Sequence, residues 1–208
     1  MPPELTDVPE EWPVSGSRVV YDGGWVVRLR DDLVRRPGHP DEEPFSRLVV
    51  EHPGAVVVLA LDDRDRVLCL WQYRHAVGRR LVQLPAGLLD VEGEDLVEAA
   101  RRELLEEAGL EAADWTHLTS TYSSPGFTAE EAHYFLARGL VEADRGDFEA
   151  QHEEAEMETG WVPFEELHAA VLEGRLADAH LALAVLLAGG RLAPVPRRGG
   201  AHQRRSSR

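Results

Sequence analysis

The sequence contains no lysine, isoleucine or asparagine in its 208 residues, and only one cysteine, Cys69. A single thiol rules out a disulfide-stapled scaffold, and the apolar stretch RVLCLWQY around it assigns it to core packing. The missing residue types share AT-rich codons, so the all-arginine basic set reflects a GC-rich coding sequence and carries no function. No apolar run approaches the roughly 18 residues of a spanning helix, and the acidic start MPPELTDVPEEW lacks the basic-then-apolar pattern of a secretory signal. The expectation is a soluble, cytoplasmic protein with no membrane partner. Positive charge is also scarce: 22 basic side chains face 38 acidic ones, for a formal net charge of −16. A field of that sign repels phosphate at long range, which excludes a general nucleic-acid binder. An acidic protein that handles phosphates needs cations in between, and metal ions would supply them.

What is present is an ordinary globular composition, 43% hydrophobic and 29% charged. The runs SRVVY and WVVRLRDDLVRR flank Tyr21-Asp22-Gly23-Gly24, a hairpin signal, and FSRLVVEH follows the loop from Arg36 to Pro44. Residues 1–51 are therefore expected to form a small antiparallel sheet module. From Gly54 the runs AVVVLALDD, RVLCLWQYRH and RRLVQLPAG read as strands, followed by a helix over Asp95–Ala108. Further strands are expected at THLTSTYS, EAHYFLARGL and ETGWVPF, and helices at FEELHAAVLEGR and DAHLALAVLLAGG, each stopped by glycine. This second, α+β unit spans residues 52–190. Residues 191–208 read as a disordered basic tail carrying Arg197, Arg198, Arg204, Arg205 and Arg208, solvated rather than an interaction arm.

The informative stretch is RRELLEEAGL, Arg101 to Leu110. Asp95 and Glu98 have capping-box spacing, and Gly109 suits the left-handed residue past a helix end. On that helix Glu103, Glu106 and Glu107 span an arc of about 100°, beside a stripe of Val97, Leu104 and Ala108 facing the core. Like charges at this spacing repel, and three glutamates alone would read as a solvated face. The context changes the reading: Gly87 opens a loop upstream, Glu94 precedes the helix and Arg102 precedes Glu103. Carboxylates one turn apart, as Glu103 and Glu107 are, can share a hard divalent cation that keeps water or substrate phosphate in its other positions.

The stretch AGLLDVEGEDLVEAARRELLEEAGL, Ala86 to Leu110, closely resembles the signature of the Nudix hydrolases, with Gly87, Glu94, Arg102, Glu103, Leu104, Glu106, Glu107, Gly109 and Leu110 at its fixed positions. The resemblance implies a Nudix fold, an α/β/α sandwich with a mixed sheet, and hydrolysis of a nucleoside diphosphate linked to another moiety. It also implies that Glu103 and Glu107 are metal ligands, that Glu106 is a further or water-mediated one, and that the Ala86 backbone carbonyl completes the set. Glu94 and Arg102 become an ion pair bracing loop against helix. One departure stands out: the spacer from Gly87 to Glu94 holds six residues where five is usual, with Gly93 at the position of the glutamate.

Features outside the signature resemble the ADP-ribose and sugar-nucleotide branch of the family. The N-terminal sheet is similar to its dimerising module, which implies a homodimer. Pro125 in SSPGFTAEE stands fifteen residues past Leu110, as in the substrate loop of that branch, bringing in Gly126 and Phe127. The segment FEAQHEEAEMETGWVPFEEL matches a loop that supplies a catalytic glutamate, Glu153 or Glu154, with Glu154 preferred. In LWQYRHAVGRRLVQLPAG, Arg74 is placed against substrate phosphate or ribose, since a guanidinium offers fixed forked donors, while Gln83 stands where glutamate is usual. Arg47 would reach the ligand from the partner subunit. The implied reaction is magnesium-dependent, with manganese as the other candidate ion: water attacks phosphorus and ADP-ribose yields AMP and ribose 5-phosphate. The alternatives are another nucleoside diphosphate sugar such as GDP-mannose, or a sensor that binds ADP-ribose without cleaving it.

Overall fold

The structure is a computed structural model that describes residues 5–23, 28–146 and 156–192. Within them the first three apolar runs pair as an antiparallel sheet in the order β1 (Val14–Asp22), β2 (Arg28–Val34), β3 (Phe45–Glu51). Residues 24–27, which include the end of the expected hairpin turn, lie outside the described residues. β1 is solvent-exposed along nearly its whole length. The sheet is fastened to the rest of the chain at the end of β3, where the Val50 amide donates to the Phe127 carbonyl (2.8 Å) and the Ala129 amide donates to the Val50 carbonyl (3.1 Å).

The remaining elements are β4 (Ala55–Ala60), β5 (Arg66–Arg74), β6 (Arg79–Gln83), β7 (Ala86–Leu88), α1 (Leu96–Ala108), β8 (Leu110–Tyr122), β9 (Glu131–Glu142), β10 (Glu158–Pro163), α2 (Phe164–Leu172) and α3 (Ala179–Leu192). They build a mixed sheet, β7-β4-β9-β8, in which β4 and β9 run parallel, and an antiparallel sheet, β10-β5-β6. Alternation along β4 divides the hydrophobic core in two. Val57, Leu59 and Leu61 pack with Tyr134 and Leu136 against Phe164, Leu181 and Val185 of the C-terminal helices. Val56, Val58 and Ala60 pack with Phe135 and Ala137 against Ala99, Ala100 and Leu104 of α1. Each buried Val or Leu contributes about 1.5–3 kcal/mol over an exposed one, and a strand buried on both faces with helices on each side is the α/β/α sandwich. Cys69 is fully buried in the first of these clusters, and burial pushes its thiol pKa up to about 12.

Several local expectations are revised. The run RRLVQLPAG breaks at Leu84-Pro85 into β6 and β7, because proline has no amide to donate to a ladder. The Pro85 carbonyl instead accepts from the Val58 amide at 2.8 Å. The Asp95 carboxylate caps α1 by accepting from the Val97 amide at 3.4 Å, while Glu98 pairs with Arg101 at 2.8 Å and so forms no reciprocal box. Glycine does not stop α3, which runs through Gly189 and Gly190 to Leu192 because Leu181, Ala184, Val185 and Ala188 bury one face of it. A Cβ at Gly189 would lie 3.3 Å from the His168 ring, so the missing side chain lets α3 approach α2 closely. The expected tail beyond Leu192 lies outside the described residues. Among those described, no helix is long and apolar enough to cross a membrane.

Candidate active site

The helix stripe that faces the core is Ala99, Ala100 and Leu104, and it carries Glu103 and Glu107 partly under cover with it, each 8% exposed. Two carboxylates this deep need a reason to stay, since burial disfavours their charged form. β7 supplies part of it. The Ala86 amide donates to Glu107 Oε2 at 2.8 Å, so Ala86 enters the site by its N–H. Gly87 lies so close that a Cβ there would meet the Glu103 carboxylate carbon at 1.8 Å. The motif glycine is thus required by space: any side chain would occupy the place of the Glu103 carboxylate.

Arg102 holds the rest together. Its Nη2 and Nε donate to the Glu94 carboxylate at 3.0 and 3.1 Å, Nη2 reaches the Leu88 carbonyl at 3.3 Å, and Nη1 lies between Glu103 and Glu106. The hydrogen bond with Glu94, ahead of the charges around it, holds the guanidinium well above its ordinary pKa. The brace between loop and helix therefore forms as the sequence implied, despite the extra residue before Glu94. Gly93 absorbs that residue with φ +78°, a left-handed conformation that costs glycine nothing. Glu103 is pushed up to a pKa of about 7, because burial outweighs the attraction of Arg102.

These groups open on a cavity of about 550 Å³ lined by Glu103, Glu106, Glu107, Arg74, Asp178 and His180, among others. Part of its lining is a connected polar chain. Arg74 Nε donates to Gln83 Oε1 (2.6 Å), Gln83 Nε2 donates to Asp178 Oδ2 (2.6 Å), and Asp178 Oδ1 accepts from the Leu181 amide (2.8 Å), capping α3. Beside it, His180 Nδ1 and the Tyr134 hydroxyl share a hydrogen bond of 2.7 Å.

The NUDIX domain family matches residues 51–183, well over half of the chain. The chain belongs to the Nudix hydrolases. An ADP-ribose pyrophosphatase of Mycobacterium tuberculosis is 46% identical to it over 165 residues, covering 79% of this chain and 77% of that protein. An ADP-ribose pyrophosphatase of Bacillus subtilis is 43% identical over 101 residues, 49% of this chain and 54% of that one. The crystal structure of an ADP compounds hydrolase shares the fold, with a TM-score of 0.70 at 20% identity, covering 90% of this chain and 97% of the other.

In this Nudix hydrolase the signature residues Gly87, Glu94, Arg102, Glu103, Glu106 and Glu107 come together as one constellation, and Gly109 closes α1 with φ +63° and its amide on the Leu105 carbonyl (2.8 Å). The donor set fits a hard divalent cation: it is all oxygen, and two of the three helix carboxylates are buried beside a glycine cradle that a Cβ would fill. As they stand, no three His, Cys, Asp or Glu side chains among the described residues converge as a metal cage; Arg102 Nη1 is the cation between Glu103 and Glu106. Arg74 lines the cavity. Pro125, Gly126 and Phe127 sit in the loop between β8 and β9, strapped to β3 and outside the cavity wall, with Phe127 55% exposed. Arg47 stacks over the Phe45 ring at 4.3 Å on the N-terminal sheet, away from its own chain's cavity. Glu153 and Glu154 lie outside the described residues.

Sequence reading missed Asp178, His180, His52, Gln72 and Glu130, all of which line the cavity. Asp178 had a signal: an aspartate directly before the apolar run AHLALAVLL is a helix N-cap, which placed the helix start without revealing what else the carboxylate touches. The others reach the cavity through strand pairing and loop course, which no local pattern encodes.

Proposed function

We propose that this Nudix hydrolase is a magnesium-dependent ADP-ribose pyrophosphatase, acting as a homodimer built on residues 1–51, with residues 52–190 carrying the chemistry. The observation that carries the reading is the buried Glu103–Glu107 pair, packed against Gly87, in the lining of one cavity with Arg74. Similarity at 46% to an ADP-ribose pyrophosphatase names the substrate. Manganese is the second candidate ion.

Glu103 and Glu107, with Glu106 beside them, would hold the ion. A divalent cation bound there supplies neutralisation of the diphosphate and a lowered pKa for water. The chain's own groups do the rest. Arg74 binds an anionic oxygen of the substrate and fixes its orientation, and the Glu94–Arg102 brace keeps the helix carboxylates in place. Glu154, or its neighbour Glu153, takes the proton of the attacking water. The water oxygen bonds to phosphorus as the bridging P–O bond breaks, giving AMP and ribose 5-phosphate.

The test is incubation of the protein with ADP-ribose, GDP-mannose, dinucleotides and nucleoside triphosphates, with and without magnesium, and chromatography of the products. AMP and ribose 5-phosphate formed only with metal support the reading. Preferred turnover of GDP-mannose replaces the substrate, and ADP-ribose binding without any cleavage replaces the enzyme by a sensor. Glu107→Gln should lower turnover by about a hundredfold or more, the scale on which misplaced reactants lose rate, with the circular dichroism spectrum unchanged. Near-normal activity removes Glu107 from the metal site.

A further inference from the structure

The part of the cavity lining formed by β5 and β6 raises a question of charge. β5 and β6 pair so that Leu70 faces Gln83, Gln72 faces Leu81 and Arg74 faces Arg79. Directly opposed residues point to the same face of a sheet, so Arg74, Gln72 and Gln83 share the cavity face, as their place in its lining confirms. Two guanidiniums stand opposite each other at the end of this ladder, an arrangement that is unfavourable without an anion nearby. Asp178 is the carboxylate that adjoins this part of the lining, yet it does not touch Arg74. Gln83 stands between them, accepting from Arg74 on its oxygen and donating to Asp178 on its nitrogen, both at 2.6 Å. Asp178 spends its second oxygen on the Leu181 amide at the start of α3. Among the described residues Arg74 makes no ion pair within 4.0 Å, although Gln83 fixes its Nε.

We propose that Gln83 is a specificity-determining positioning residue: as a neutral relay anchored by Asp178, it orients the Arg74 guanidinium in the cavity while leaving its positive charge for an anionic oxygen of the substrate. A carboxylate at position 83 would accept the same hydrogen bond and add a competing anion. It would also face Asp178, where two carboxylates repel. The Gln83 amide satisfies both neighbours, since unlike an ionised carboxylate it combines an acceptor for Arg74 with a donor for Asp178. The two free edges of the Arg74 fork, Nη1 and Nη2, then carry the recognition.

This inference rests on the hydrolase reading above, so the experiment separates the two. Steady-state kinetics with ADP-ribose and magnesium are measured for the wild type, Gln83→Glu, and Gln83→Glu combined with Asp178→Asn. If the wild type does not cleave ADP-ribose, the functional reading fails before the variants are considered. If it does, Gln83→Glu should raise KM by about tenfold, the scale of one charge-assisted contact, with kcat changed far less, and should lower Tm through repulsion at Asp178. The double variant restores a donor opposite the introduced carboxylate, so Tm should recover while KM stays high, because Arg74 remains paired. A KM that recovers along with Tm would show Gln83 to be a structural filler. A KM unchanged in both variants would show that the charge of Arg74 is not used for binding. Either result overturns the proposal.

Discussion

At the scale of single residues, the site is governed by what burial does to charge. Glu103 is held against Gly87 with its carboxylate mostly shielded from water, and burial raises its pKa from the ordinary 4.5 to about 7. The linkage has a definite sign. Between those two values the folded chain binds a proton that the unfolded chain has already released, so this group's contribution to stability is fully present below about pH 4.5 and is lost as pH rises through about 7. In metal-free protein the Tm of the wild type measured against Glu103→Gln should therefore fall as pH is raised across that window, because the amide has no proton to lose. A divalent cation favours the ionised carboxylate, so added magnesium should reverse the trend. Differential scanning fluorimetry of both proteins over the pH series checks this, and a Tm difference flat in pH would mean that Glu103 is ionised in the fold. The sequence carried the identity of this group but not its state. Three glutamates on a helix face are legible as a charge problem; which of them sits under β7, and how deeply, depends on the course of the chain at Gly87.

At the scale of elements, the loop from Gly87 to Asp95 and the helix that follows act as one device. Its two glycines do different work. Gly87 yields space to Glu103, where a Cβ would stand 1.8 Å from the carboxylate carbon, whereas nothing lies within 4 Å of a Cβ at Gly93, whose constraint is its φ of +78°. The two alanine substitutions should thus separate. Gly87→Ala should push the flexible end of Glu103 aside at modest cost in stability but lower turnover by about a hundredfold. Gly93→Ala should lose about 1–2 kcal/mol to backbone strain, the ordinary cost of a left-handed non-glycine residue, with kcat close to that of the wild type. Activity assays beside chemical denaturation of both variants test the assignment, and equal losses of turnover would place Gly93 in the site as well. The elements themselves were largely readable, because β4, β5 and α1 show their periodicity plainly. The revisions came where tertiary packing overrode a local signal: the buried face of α3 carried it through two glycines, and Arg101 drew Glu98 away from the cap.

At the scale of the whole molecule, the N-terminal sheet is the element that the rest of the chain leaves unexplained. A three-stranded antiparallel sheet needs a covered face to be stable, yet Tyr21, Leu33 and Leu48 are exposed, and their pairings with Leu29, Ser46 and Asp31 put them on one side. In the homodimer proposed above a second copy would supply the cover, and Arg47, which pairs with Asp32 on the other face of β3 and lies outside its own cavity lining, would have a partner cavity to serve. The wild type should sediment at twice the 23.1 kDa chain mass, and Leu48→Asp should shift it to the monomer by burying a charge in that face. A complementation assay decides the role of Arg47. On the proposed roles, Arg47→Ala would lack the donated arginine and Glu107→Gln the metal ligand, so in a mixed two-fold dimer the Arg47→Ala chain would keep its carboxylates and receive Arg47 from its partner. Random exchange of equal amounts makes about half of the dimers mixed, each with one complete site of two. Mixing should thus restore about a quarter of wild-type activity from two preparations that are each far less active. If the mixture shows no more than the sum of its parts while sedimentation confirms exchange, Arg47 does not act across the dimer.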